Sequence, residues 1–448
     1  MRLRRSLTTL ALVFVMYFNT SGGPYTTEGL VAKAGPGLAL LTLLLVPLLW
    51  SLPETLIVGE LASMLPEEGG YYRWVYRAFG RFWAFQNGWW TWLYSLVDMA
   101  IYPVLFNQYL AFFLPGLGHT AQWAISLAVI WGATAINLRG ALPVGRVSVA
   151  LGVTIVVAFT LLALAALPHA GHLPWRPFLP PGNGARGALG TLGVGFSIAL
   201  WNYSGWDNAS TVQGEVVDAT RAYPRALAWA LPLVAVGYFL PLLATLSASD
   251  WTRWRDGGWP EIATMSAGAL GRPLALVIAA AGMISALGLF NALLLAYSRI
   301  PLAMAGDALL PPPLAQTDGR GTPRNAVLVS AVFYSFFALV PFSGLVVADV
   351  LLYAMALFLE FGALIALRRK EPALRGAFRI PVGRAGVIAL ALVPMLVLAG
   401  VVCLEVQDGQ HGYPAVISAL VAAAIGPLVY ALGQWSAARA GAERPEEV

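Results

Sequence analysis

The sequence predicts an all-α integral membrane protein with twelve transmembrane helices. Three observations lead there. Of its 448 residues, 58% are hydrophobic and 11% are charged, whereas an average soluble domain carries about a quarter charged residues. Twelve apolar segments reach the length of about 20 residues that a bilayer core requires of a helix. The lysines and arginines fall mainly in alternate gaps between those segments.

In chain order the segments are 7–33, 37–63, 82–114, 120–138, 144–168, 188–213, 225–248, 273–303, 325–343, 346–367, 385–404 and 413–435. The opening MRLRR followed by an apolar run has the look of a signal peptide. No small-residue cleavage site precedes the glycine-rich interruption and the apolar pattern resumes after it, so the run is read as the first span. With the N-terminus inside, the cytoplasmic segments hold 21 basic residues. They include Arg2, Arg4, Arg5, Arg73, Arg77, Arg81, Arg299, Arg320, Arg368, Arg369, Arg439 and Arg444. The outside set is Lys33, Arg176, Arg186, Arg253, Arg255 and Arg272. Excess Lys and Arg on the cytoplasmic side is the positive-inside pattern, and it places both termini in the cytoplasm of a plasma (inner) membrane protein.

Two spans are interrupted. Ser21-Gly22-Gly23-Pro24 breaks the first, and Asn202-Tyr203-Ser204-Gly205-Trp206-Asp207 breaks the sixth. Glycine weakens a helix and proline removes a donor. The freed backbone groups are tolerable at membrane depth only where they line a cavity or meet a ligand. The breaks lie five spans apart, and a repeat of five spans must be inverted in its second copy. Matching interruptions in inverted halves point to a transport site. The organisation read from this is a first repeat over 1–168 and a second over 188–367. Two accessory helices and a cytoplasmic C-terminus make up 385–448.

Charge inside a span is costly and marks function by default. Asp98 lies mid-span three, Asp207 at the second break, Glu360 in span ten, and Glu54 and Glu60 in span two. No Lys, Arg or His is expected deep in a span, so a cation or a proton is the natural partner of these acids. Asp98 and Tyr102, spaced i and i+4, share a helix face. Trp201, Tyr203 and Trp206 flank the second break, and aromatic rings beside a carboxylate suit an ammonium ligand. Glu60 is expected to pair with Arg73, Arg77 or Arg81 and to fix a loop, and Glu360 to pair with Arg368 or Arg369. The single cysteine, Cys403, excludes an internal disulfide. The four histidines (His119, His169, His172, His411) lie in loops or span ends, and no HExxH, Walker A or GxSxG sequence occurs. An enzyme lacks its usual signatures, and a receptor has no need of paired broken helices.

The first break, the stretch GELASMLPEEGGYYRWVYRAFG (59–80), the WNYSGWDNASTVQGEV segment (201–216) and SRIPLAMAGDALLP (298–311) together resemble the amino acid–polyamine–organocation superfamily. SGGPYTTEG (21–29), GWWTWLYSLVDMAIYPVLFNQYL (88–110) and LWNYSGWDNASTVQGEV (200–216) resemble its polyamine:proton symporter branch in particular. The resemblance implies the leucine-transporter fold, a 5+5 inverted repeat plus two helices working by alternating access. It implies substrate held at Ser21, Gly22 and Gly23, with Trp201 as a gate. It makes Tyr102, Asn202, Tyr203, Ser204, Trp206 and Asp207 binding candidates, and Asp98 and Asp207 candidates for proton coupling. Some proton-coupled relatives carry a lysine in span five, and 144–168 has none, which leaves the proton to Asp98 or Asp207. A sodium site would require hydroxyls on span eight facing span one, and Ser285 is the one candidate.

The expected function is thus secondary transport of a small cationic or zwitterionic amine, coupled to protons, with polyamines the leading substrate class. The alternative is a neutral or broad-specificity amino-acid permease or exchanger. No cofactor, metal or nucleic acid is expected; the partners are the substrate and the lipid bilayer.

Overall fold

The computed structural model describes residues 5–180, 185–319, 321–338, 346–408 and 412–439. Arg2, Arg4, Arg320, His411 and Arg444, and the side chains of Arg186 and Arg439, lie outside the described residues. Within the described residues the chain is helical and has no strand; a lone parallel bridge joins Leu7 to Val216.

The described residues of each of the twelve expected segments are mainly helical; 339–343, the end of the ninth, lie outside the described residues. The first is two short helices, α1 (Thr9–Thr20) and α2 (Thr27–Ala34). The second is α3 (Pro36–Val46) and α4 (Leu52–Met64), joined by one π-helical turn at Pro47–Ser51. Proline at 47 and again at 53 loosens the backbone ladder there, the usual setting of a π-bulge. A short amphipathic helix, α5 (Gly70–Phe79), precedes α6 (Arg81–Leu110), α7 (His119–Asn137) and α8 (Ala141–Ala166). The sixth segment is α9 (Ala185–Asn202), a break, and a 3₁₀ helix over Asn208–Glu215. Then follow α10 (Ala219–Ala248), α11 (Trp259–Ser266), α12 (Gly271–Tyr297), α13 (Arg299–Gly306), α14 (Arg324–Phe337), α15 (Val346–Lys370), α16 (Arg384–Asp408) and α17 (Gly412–Arg439). Among the described residues seven helical stretches are long and apolar enough to cross a membrane, Pro36–Met64, Ala141–His169 and Ala219–Ala248 among them. The protein is therefore a multi-pass membrane protein.

The core is centred on the broken helices. α1 packs on α8, α10 and α12, and α6 packs on α12 and α15. The faces of α8, α10, α16 and α17 that point away carry exposed apolar side chains such as Leu161, Trp229, Leu396 and Leu428. In water such a surface would drive association; in a bilayer it faces its own solvent.

The charged residues at the span ends pair differently from expectation. Glu60 is bound by Arg368, with the guanidinium Nε at 2.7 Å and Nη2 at 2.5 Å, and by the Ile380 N–H at 2.8 Å. Arg73 instead meets Asp307 at 2.7 Å and Arg77 meets Glu371 at 2.6 Å. Glu60 rises from α4 on the side facing α15 and the 372–382 loop, while the α5 arginines face α13 and the end of α15. Arg368 being taken, Glu360 has no arginine; it is fully buried deeper along α15.

Arg299 also departs from expectation. Its place among the basic residues of the loops suggests contact with water, yet its side chain is 0% exposed. Its Nη2 lies 2.6 Å from Glu215 and its Nε 3.6 Å from Glu68. The pair ties the end of the sixth segment to the start of α13. Removing one member of a buried ion pair strands the other, which costs about 3–5 kcal/mol. Arg299→Met is therefore expected to lower the melting temperature of the detergent-purified protein sharply, and the Arg299→Met, Glu215→Gln double variant to recover part of the loss.

Candidate functional site

The two breaks meet. At the first, Gly22 (φ +64°) and Gly23 (φ +109°) turn the chain left-handed, a region that side-chain-bearing residues rarely adopt. A Cβ on Gly22 would stand 2.7 Å from the Ser285 hydroxyl on α12. At the second, Gly205 (φ +102°) sits so close to α1 that a Cβ would lie 2.5 Å from the Asn19 carbonyl oxygen. The Thr26 hydroxyl donates to the Asn202 side-chain oxygen at 2.9 Å, a second tie between the breaks. The Ser285 hydroxyl donates to the Gly22 carbonyl at 2.5 Å, and the Tyr238 hydroxyl to the Asn202 carbonyl at 2.7 Å. Both of these carbonyls thus have a hydroxyl partner from a neighbouring helix, as suits a water-poor interior.

A cavity opens where α1, the sixth segment, α6, α12 and α15 converge, and its volume is about 40 Å³. One water needs roughly 10–15 Å³ on this measure, so the side chains enclose the space tightly. Of the residues singled out from sequence, Ser21, Asp98, Tyr102, Trp201, Asn202 and Ser204 line it. Asp98 accepts from the Tyr102 hydroxyl at 2.7 Å and from the Tyr297 hydroxyl at 3.0 Å. The i, i+4 spacing thus puts the acid and the phenol on one face.

The other singled-out residues stand behind the cavity wall. The Gly22 N–H donates to the Tyr17 carbonyl at 3.0 Å, and the Gly23 N–H to the Ser21 hydroxyl at 3.1 Å. Tyr203 reaches away to the Leu43 carbonyl at 3.0 Å. The Trp206 N–H donates to Glu54 at 3.1 Å. Asp207 is 1% exposed, and the hydroxyl that reaches it, Tyr353, lies 2.9 Å from its Oδ1. The same hydroxyl lies 2.7 Å from Glu54 Oε1 and accepts from the Gly205 N–H at 2.8 Å. Tyr353 also lines the cavity, so one ring separates the open space from a buried group of three acids, Glu54, Asp207 and Glu360.

Sequence inspection missed Tyr297, Tyr353 and Asp349, all of which line the cavity. Asp349 and Tyr353 carry a signal: they repeat on α15 the Asp98–Tyr102 spacing of α6. Tyr297 carries none, being an aromatic at a helix end where interfacial rings are common. Glu28, a further acid not singled out, is buried and accepts from the Tyr109 hydroxyl and the Gly257 N–H, both at 2.9 Å.

Gly205 is the position least able to change. Gly205→Ala combines a disfavoured φ with a clash against Asn19, an expected cost of about 2 kcal/mol. A lower melting temperature together with lost transport is the expected outcome, while Gly237→Ala on α10, with open space around it, serves as the silent control.

Comparison with known proteins agrees with this architecture. The sequence profile of the amino acid permease family matches residues 7–425. Polyamine transporter PUT1 of Oryza sativa subsp. japonica is 36% identical over 404 residues, covering 90% of this chain and 74% of that protein. Polyamine transporter RMV1 of Arabidopsis thaliana is 36% identical over 401 residues, 89% of this chain and 80% of that protein. Branched-chain amino acid permease BcaP of Lactococcus lactis is 27% identical over 374 residues, 78% of each chain. A polytopic helical chain, built around two interrupted helices and matched over nearly its whole length, belongs to the amino acid permease family and is a transporter, not an enzyme.

Proposed function

We propose that this protein is a proton-coupled symporter that carries polyamines or related amine-bearing substrates into the cell. The observation that carries the reading is the chemistry of the cavity. Asp98 and a set of aromatic rings, Trp201 and Tyr102 among them, face it, and none of its described lining residues is Lys, Arg or His. A carboxylate among π-faces selects an ammonium group by charge pairing and cation–π attraction. The names of PUT1 and RMV1 support the same substrate class.

The coupling proton is assigned to Asp98 and Asp207. Asp98 meets the substrate directly and exchanges a proton for an ammonium; Asp207 holds its proton behind Tyr353. Transport proceeds by alternating access of twelve helices arranged as two inverted repeats of five, 1–168 and 188–367, with 385–448 as an accessory pair. The tight cavity supports a closed arrangement whose walls part to admit substrate, Trp201 acting as the gate. The distribution of basic residues supports a plasma-membrane orientation with both termini cytoplasmic.

A second reading, a neutral or broad-specificity amino-acid permease, draws on the similarity to BcaP and on the polar end of the cavity at Ser21 and Asn202. Uptake into proteoliposomes under an inward proton gradient separates the two, with labelled putrescine, spermidine, arginine and leucine offered in parallel. Gradient-driven, protonophore-sensitive uptake of the polyamines is expected; uptake of leucine alone would establish the second reading. Asp98→Asn removes a charge-assisted contact worth about 1.5–3 kcal/mol. It should raise the half-saturating polyamine concentration roughly tenfold to a hundredfold.

A further inference from the structure

Asp349 stands in the first turn of α15, across the cavity from α6, and is 5% exposed. Its Oδ1 is buried without a hydrogen-bond partner. Asp98 has two phenol donors, Tyr102 and Tyr297; the Asp349 Oδ1 has none. The two acids line one cavity, lie within electrostatic reach of each other, and share Tyr102 as a neighbour. No described lining residue carries a positive charge.

We propose that Asp349 is the second anionic anchor of the substrate site, and that with Asp98 it makes the transporter select dicationic amines over monoamines and zwitterions. The inference rests on the amine-transport reading given above. An unpaired buried carboxylate oxygen is costly until a donor reaches it, and a ligand that brings one ammonium satisfies Asp98 alone. An amino acid brings a carboxylate of its own into a cavity that already holds two. A diamine supplies one ammonium to each acid, and its methylene chain lies along the rings of Tyr102, Tyr297 and Tyr353. The competing account is that Asp349 only complements the N-terminal dipole of α15. That role predicts a change in stability with no change in selectivity.

Putrescine and butylamine are the probes, since they share a four-carbon chain and differ by one ammonium. Inhibition of labelled putrescine uptake by each unlabelled amine is measured in proteoliposomes of the full chain, for wild type, Asp349→Asn and Asp349→Ser. Wild type should prefer putrescine by about tenfold or more, the usual worth of a buried charge-assisted contact. Both variants should narrow the preference to about twofold while butylamine inhibits as in wild type. A variant that keeps the wild-type preference overturns the inference and leaves amine transport standing. So does an equal weakening of both amines with a lowered melting temperature, and so does failure of both variants to fold. If wild type takes up neither amine, the amine-transport reading itself falls and the inference with it.

Discussion

Gly205 against the Asn19 carbonyl is the contact on which the rest of the structure depends. Two helices can cross at their interruptions only if one of them presents no side chain at the crossing. The sixth segment does so with a left-handed glycine, and α1 answers with the backbone carbonyl of Asn19. Once the crossing is set, backbone groups from both breaks are stranded in a region without water. The hydroxyls of Ser285, Tyr238 and Tyr353 reach them from α12, α10 and α15.

Placing acids among these hydroxyls has a second consequence. Charges at the helix ends away from the breaks come in pairs: Glu60 with Arg368, Arg73 with Asp307, Arg299 with Glu215. Around the breaks the acids stand without bases, and phenols reach Asp98, Glu54 and Asp207 instead. A phenol donates a hydrogen bond yet brings no positive charge, so the central region keeps a negative balance that only a cation or a proton from outside can offset. Ion pairs fix the helix ends away from the breaks, and an uncompensated interior is left free to respond to what enters.

Much of this was legible in the sequence. Segment lengths located the long apolar helices and the glycine-rich interruptions located both breaks, because each of these follows from local composition, while the short helices α5 and α11 lie outside the expected segments. The Asp98–Tyr102 face was readable from spacing. The pairing of Glu60 was not: several arginines lie near it in sequence, and its partner is three hundred residues away. Asp207 illustrates the same limit. Its position at a break marked it for the cavity, but the direction of its side chain depends on Tyr353, on a helix that sequence proximity does not connect to it. Burial of Arg299 was equally hidden, since a basic residue at a helix end looks the same whether it meets water or Glu215.

Tyr353 carries one hydrogen, and two acids stand within reach of it. Its hydroxyl already accepts from Gly205, so the hydrogen goes either to Glu54 or to Asp207. The two choices differ by a rotation about the C–O bond and by no displacement of heavy atoms. One choice fastens α15 to α4, the other to the interrupted helix. In either case the Gly205 N–H keeps the ring that walls the cavity tied to the interrupted helix, and where the single hydrogen points decides only whether α4 is tied to it as well.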